Sequence, residues 1–214
     1  MRVVMLLLVL GCEPRLPIQP LPPLVAPPAR VAIGMGPFHF VPGERMTWDV
    51  TVQGLPVGRA DLIVGPHDVR TTFETQSLAA AFATVHYELV TDFDAKPPAG
   101  HDVLVVGGES RGAPAPSGAH TFHTVLGWMR GWVKPGARGG YLQVAHAGKL
   151  NRLEVSQPIE ETMRGEKVLR VDCTVRDIAV SIWFTRDPDA VPIRIQAIDD
   201  DIKVTAELVD FHVE

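Results

Sequence analysis

His120 and His123 are the residues of this 214-residue chain whose spacing best suits metal chemistry. Three apart on a helix, both rings fall on one side. Zinc takes three or four protein ligands. No H-E-x-x-H pattern surrounds the pair, and His101, Asp102 and Glu109 lie upstream without a spacing that ties them to it. The pair therefore reads first as polar residues capping a helix, with a metal-dependent enzyme or hydrolase as the lesser alternative. Asp199, Asp200 and Asp201 would attract calcium, but they lack the spaced acidic pattern of a calcium loop. In a strand, neighbouring side chains point to opposite faces, so the triplet reads as a solvated hairpin turn. Ser77, Ser110, Ser117, Ser156 and Ser181 have no G-x-S-x-G elbow. No glycine-rich loop precedes a helix to cradle phosphate. Cys173, in the alternating run VLRVDCTV, reads as a buried core thiol. Carboxylate pairs for glycoside hydrolysis assemble only in a fold. The sequence thus points to no catalytic residue, no metal and no cofactor.

Trp48, Trp128, Trp132 and Trp183 are the remaining candidates. Aromatic side chains dominate cores, so packing is their first reading; the sharper one makes them the lining of an apolar cavity in a half-open barrel. Trp128 and Trp132 lie in the segment 121–132, where Phe122, Val125, Leu126, Met129 and Trp132 recur at helical spacing. Pro135-Gly136 ends it. Gly127 and Gly131 each cost a helix about 1 kcal/mol relative to Ala, so this helix needs packing to hold it. It is expected to plug the concave face or open end of a curved sheet, either permanently or as a lid. Leu78–Ala83 is a lesser helical candidate.

The elements that would position these residues are strands. Met46, Trp48, Val50 and Val52 alternate with Arg45, Thr47, Asp49 and Thr51. Similar runs cover 59–64, 67–75, 85–93, 102–106, 140–146, 150–156, 166–175, 178–185, 191–198 and 202–211, separated by short turns. Residues 107–118 read as a loop by composition. Strand after strand with short connections predicts a mainly all-β fold. The expected form is a single, strongly curved antiparallel sheet or incomplete β-barrel with one packed α-helix.

The first twelve residues, MRVVMLLLVLGC, fix a location. A basic residue, an apolar run and Gly11-Cys12 resemble the signal of a bacterial lipoprotein. The apolar run spans ~12 Å as a helix, too short for a ~30 Å bilayer core. Cleavage before Cys12 would leave that residue lipidated, as the membrane partner of the mature chain. Glu13 follows it, which under the enteric sorting rule implies the outer membrane, with the domain facing the periplasm. Residues 12–37 form a proline-rich, semi-rigid tether, and the β-rich domain runs over 38–214. A net charge of −5 with no Lys/Arg cluster excludes nucleic acid as a partner. A hydrophobic content of 46% supports one sizeable core.

Three segments carry a family resemblance. Phe40-Val-Pro-Gly-Glu44 with Met46, Trp48, Gly54 and Val57-Gly58-Arg-Ala60 is the first. Val125 to Trp132 with Lys134-Pro-Gly136 is the second, and Ile182 to Pro188 with Val191-Pro-Ile193 the third. Together they resemble the DUF3108 family of exported bacterial proteins of unknown function, over most of residues 40–211. That resemblance implies a curved antiparallel sheet or incomplete barrel and brings no activity or catalytic residue. The expectation is a non-catalytic envelope lipoprotein that binds a lipid or other apolar or amphipathic molecule in a curved sheet. The alternative is an interaction or scaffold module that binds another envelope protein.

Overall fold

The computed structural model describes residues 32–33, 38–76, 79–80, 84–95, 99–106, 109–114, 120–146 and 149–214. The signal segment 1–11, Cys12 and all of the tether but Ala32 and Ile33 lie outside the described residues. The strands are β1 (Glu44–Val52), β2 (Leu55–Val64), β3 (Asp68–Thr75), β4 (Val85–Asp92), β5 (Ala99–Val106) and β6 (Glu109–Pro114). After the central helix (Phe122–Trp132) come β7 (Gly140–His146), β8 (Lys149–Val155), β9 (Ile159–Met163), β10 (Glu166–Val175), β11 (Ile178–Thr185), β12 (Pro192–Asp199) and β13 (Ile202–Val213).

All thirteen belong to one antiparallel sheet in the order β6-β5-β4-β3-β2-β1-β13-β12-β11-β10-β8-β7, with β9 on β10. The expected mainly all-β fold with one packed helix is what the chain adopts. First and last strands meet in the middle, β1 on β13, while β6 and β7 are the two edges, so the sheet is not closed. The residues before the helix bridge the opening. His120 pairs with Val144 on β7, and the Thr91 hydroxyl on β4 donates to that of Thr121 at 2.9 Å.

Tight hairpins set the register. Gln53-Gly54 and Arg164-Gly165 both carry positive φ, the two-residue turn whose twist matches the flanking strands. Asp200-Asp201 form the tip between β12 and β13, as the solvated-turn reading expected. Two strands were not expected from the sequence. Residues 109–114 form β6, because an edge strand needs only one partner and tolerates Pro114 at its end. Residues 159–163 form β9, half exposed on the flank of β10. Part of the tether is also docked, since Ile33 donates its N–H to the Tyr141 carbonyl at 3.3 Å and packs against the core. Ala79 and Ala80 are helical, within the lesser helical candidate.

Register divides the sheet into two faces. Met46, Leu62, Val171, Ile182 and Phe184 point inward into one core cluster with Val125, Leu126 and Met129 of the helix. The outer face carries a cross-strand row read directly from pairing: Arg194, Glu207, Asp49, Arg59, Glu74 and His86, on β12, β13, β1, β2, β3 and β4. Its neighbours form ion pairs, including Arg59 with Asp49 at 3.2 Å and His86 with Glu74 at 3.3 Å. Such a surface suits water; charge on the lipid face of a membrane barrel is destabilising. No helix among the described residues is long and apolar enough to cross a membrane.

Candidate functional site

The concave face has a filled half and an open half, and the central helix makes the difference. From His123 to Arg130 every residue of the helix is buried. Thr121 caps it, its hydroxyl accepting from the Thr124 N–H at 3.2 Å. Gly127 lets it come close, since a Cβ there would lie 2.6 Å from the Phe38 ring and 2.8 Å from that of Phe40. Its carbonyl accepts from the His39 N–H at 2.9 Å. The glycine that weakens the helix locally is thus the one that admits its aromatic neighbours.

Two buried polar anchors pin the helix. At its C-terminal end the Arg130 guanidinium makes a two-pronged pair with the Glu44 carboxylate, at 2.8 and 2.6 Å. Both side chains are 1% exposed. Arg130 Nε donates to the Asp189 carbonyl at 3.0 Å, and the guanidinium lies 5.3 Å from the Phe40 ring centre. A bidentate pair with a further hydrogen bond from Nε is the form in which buried charge is tolerated. At the N-terminal end, His123 is fully buried. Thr91 gives its proton to Thr121, Thr121 to Thr124 at 3.3 Å, and Thr124 to the Thr121 carbonyl at 3.0 Å. With Thr91's proton spent, His123 Nδ1 must donate to Thr91 at 2.9 Å, and Nε2 must accept from Thr71 at 2.8 Å. The hydrogen-bond chain therefore fixes one neutral tautomer. Burial pushes the His123 pKa down to about 3, so the ring stays uncharged across physiological pH.

These geometries settle where the sequence candidates lie. His123 is not a partly exposed capping residue; both its ring nitrogens are taken by hydroxyls, and Thr121 is the cap. His120 precedes the helix, bridged to β7, and burial lowers its pKa too. Among the described residues no group of three or more His, Cys, Asp or Glu is placed to hold a metal. Cys173 is buried, and burial with the neighbouring Asp172 charge raises its pKa, away from nucleophilic use.

The four tryptophans do not form one lining. Trp48, Trp128 and Trp132 join the central cluster, and the latter two stack with ring centres 5.2 Å apart. Trp48 Nε1 donates to the Pro192 carbonyl at 3.0 Å. Among the described residues, the buried Trp128 Nε1 has no hydrogen-bond partner. Trp183 lies apart, on the outer face, where its Nε1 donates to Glu161 at 2.8 Å and Arg194 lies 5.6 Å from its ring centre.

Beyond the helix the inward rows stay apolar but lose their cover. On one register row Trp48 faces Ala60, Ala60 faces Phe73 and Phe73 faces Tyr87. Trp48 is buried; Ala60, Phe73 and Tyr87 are half-buried. Leu104, next on that row, is 38% exposed, and Val106, two residues on, 41%. On the other side of β1 the inward Val204, Ala197, Val180 and Val175 are half-buried, while Leu169, Val171 and Ile182, nearer the helix, are buried. On β1 the cover reaches past Trp48, since Val50 is buried, and among the described residues the half-covered apolar positions lie toward the hairpin tips.

No family model and no curated protein matches the chain. One solved structure similar to it is a β-barrel-like protein of a domain of unknown function, DUF1849, from Brucella abortus. The TM-score is 0.55 at 11% identity, over 81% of this chain and 99% of that one. The likeness is one of fold.

The Glu44–Arg130 pair was missed by sequence reasoning. The pair had a signal: Arg130 stands in an apolar helix, and Glu44 is in phase with Met46 and Trp48.

Proposed function

We propose that this chain is a non-catalytic envelope lipoprotein, anchored through Cys12 at the outer membrane and facing the periplasm. Its domain binds an apolar or amphipathic molecule, such as a lipid, in the open half of its curved sheet. The observation that carries this reading is the inward register row on which Trp48 is buried while Ala60, Phe73 and Tyr87 are half-buried. A row of apolar residues left half-covered in the concavity of a sheet is the kind of surface that small apolar ligands fill. The non-catalytic reading is supported by His123 and Cys173, whose reactive atoms are spent on packing. Membership of the DUF3108 family is likewise our proposal. Its support is that the three resembling segments converge: Glu44 and Phe40 from the first meet Arg130 from the second, and Trp48 meets Pro192 from the third.

The test is native mass spectrometry of the full chain exported into an envelope compartment, followed by organic extraction. A stoichiometric lipid-like mass supports the reading, and a clean unliganded mass with no uptake of added lipid overturns it. Cys12→Ala should release the protein from membranes; unchanged membrane association would remove the anchor from the account.

A second reading, an interaction module for another envelope protein, is favoured by Leu55 and Ile202. They are exposed beside the tips of two adjacent hairpins, joined where Gln53 N–H donates to the Lys203 carbonyl at 2.8 Å. Pull-down of a single envelope protein, lost on Leu55→Asp, would support it.

A further inference from the structure

Apart from the half-covered inward rows, we infer that the unpaired half of β13, residues 208–213, takes an extended basic peptide, one apolar side chain of which enters a crevice beneath the β9–β10 hairpin. On its β1 side β13 is paired to its end, where Val213 faces Glu44. On its β12 side the ladder stops at Glu207, opposite Arg194. β12 leaves because it bends. Trp183 faces Arg194 while Phe184 faces Pro192, so Ile193 is a bulge, and a bulge turns its strand. Pro192 has no N–H to offer; it is buried, and its carbonyl meets the inward Trp48 indole at 3.0 Å. Backbone direction alternates along a strand. The Glu214 N–H donates to the Gly43 carbonyl, on the β1 side, so the N–H and C=O groups of Val213 and Phe211 point the other way. Among the described residues no strand lies there, and Val209 and Val213 are exposed. Such an edge is what an added peptide strand completes.

The crevice gives this edge selectivity. The tip of the β9–β10 hairpin crosses the outer face to β13, where Arg164 pairs with Glu207. Beneath it lies a crevice of about 420 Å³, walled by Met163, Val168, Ile193 and Leu208, with Thr185 and Asp187 adding polar groups. Ile193 and Leu208 are the first residues past the last β12–β13 pair, so a strand laid on β13 carries a side chain into the crevice. The surrounding charge sets the sign of the peptide. Arg45 and Arg186 are already paired, with Glu214 at 3.1 Å and Glu160 at 3.2 Å. Lys167 and Glu166, neighbours on the exposed rim, offset each other. Among the described residues Asp187 is held by the backbone N–H groups of Asp189 and Ala190. Asp189 meets His39 at 3.7 Å, and Asp210 meets His212 at 2.9 Å. Three carboxylates without a lysine or arginine partner favour a basic peptide over an acidic one.

The test is titration calorimetry of the full chain with a short end-capped peptide that alternates leucine with lysine, followed by amide hydrogen exchange of the complex. Binding should slow exchange at Phe211 and Val213. N-methylation of one alternate set of peptide amides should cost about tenfold in affinity and of the other set little, since only one set faces β13. Replacing the lysines by glutamates should also cost about tenfold. A peptide that fails to bind, that binds equally well with glutamates, that tolerates N-methylation of both sets, or that protects the edge strand β6 instead overturns the inference. So does protection of Phe211 and Val213 in the peptide-free chain as its concentration rises, which would place a second copy there. Each of these outcomes leaves the lipid-binding reading as it stands, since its half-buried row lies on β2, β3 and β4.

Discussion

Met46 and Val52 lie on the same strand and face the same concavity, yet Met46 is sealed and Val52 is half-covered. The same contrast runs across the sheet, between Leu62 and Phe73 on β2 and β3 and between Ile182 and Val180 on β11. Chemistry does not separate the two halves, since both are apolar. What separates them is a helix with polar anchors at both ends. The filled half is held by directional bonds that leave little freedom: a buried ion pair, a fixed tautomer chain and a glycine contact. The open half has mainly apolar rows, which accept an apolar filler of suitable shape. A closed concavity therefore needs specific polar partners, whereas one left for a ligand does without them inside.

Breaking the anchors should hurt most. Arg130→Met leaves the Glu44 carboxylate buried alone, and the expected loss is about 3–5 kcal/mol of unfolding free energy in denaturant melts. The double change Glu44→Met with Arg130→Met should recover much of it; a single-site loss under 1 kcal/mol would mean that the pair does not pin the helix. Thr91→Val removes the hydroxyl shared by His123 and Thr121, with an expected loss of about 1–3 kcal/mol.

The same anchor sets a pH dependence. The folded pKa of His123 is about 3 against 6.5 when free, so below pH 6.5 the unfolded chain takes up a proton that the folded one refuses. His123's contribution is full above pH 6.5 and falls by about 1.4 kcal/mol per pH unit towards pH 3. Unfolding midpoints measured across that window should lose this slope in His123→Gln.

In the open half the order of effects reverses. Phe73→Ala removes a half-covered ring, so stability should fall by about 1 kcal/mol, while uptake of an apolar probe should fall at least tenfold. If Phe73→Ala cost as much stability as a core truncation, about 3–5 kcal/mol, the half-covered row would be core and the contrast would fail. Smallest of all, Arg59→Ala on the outer row should change stability by no more than about 1 kcal/mol, as exposed ion pairs do. Chemical melts of the two variants side by side separate these cases.

Much of the fold was legible because period-two alternation survives in most strands. The run from Met46 to Val52 gave β1 its span and its inward face, and the helix at 122–132 followed from its apolar spacing and the Pro135-Gly136 stop. Strands β6 and β9 escaped because their residues are exposed or rich in Gly and Pro; their pairing comes from a neighbouring strand and not from their own pattern. At the site, Trp48, Trp128 and Trp132 lie in the central cluster, whereas Trp183 takes the outer face, and one sequence does not say which face a tryptophan takes. Its neighbours would have told: Ile182 and Phe184 already occupy the inward phase. The buried roles of Glu44 and His123 needed the partners Arg130, Thr71 and Thr91, which are 86, 52 and 32 residues away in the chain.

The central claim is that one half of the concavity is filled and the other receives a ligand. Amide and methyl NMR shifts of the full chain, recorded with and without a short-tailed alkylphosphocholine, test it most directly. The account predicts shifts at Phe73, Tyr87, Val175, Val180 and Val204, with Met46, Leu62, Leu126 and Trp128 unmoved. Shifts centred on the helix, or on the outer row at Arg59 and Glu207, would contradict it.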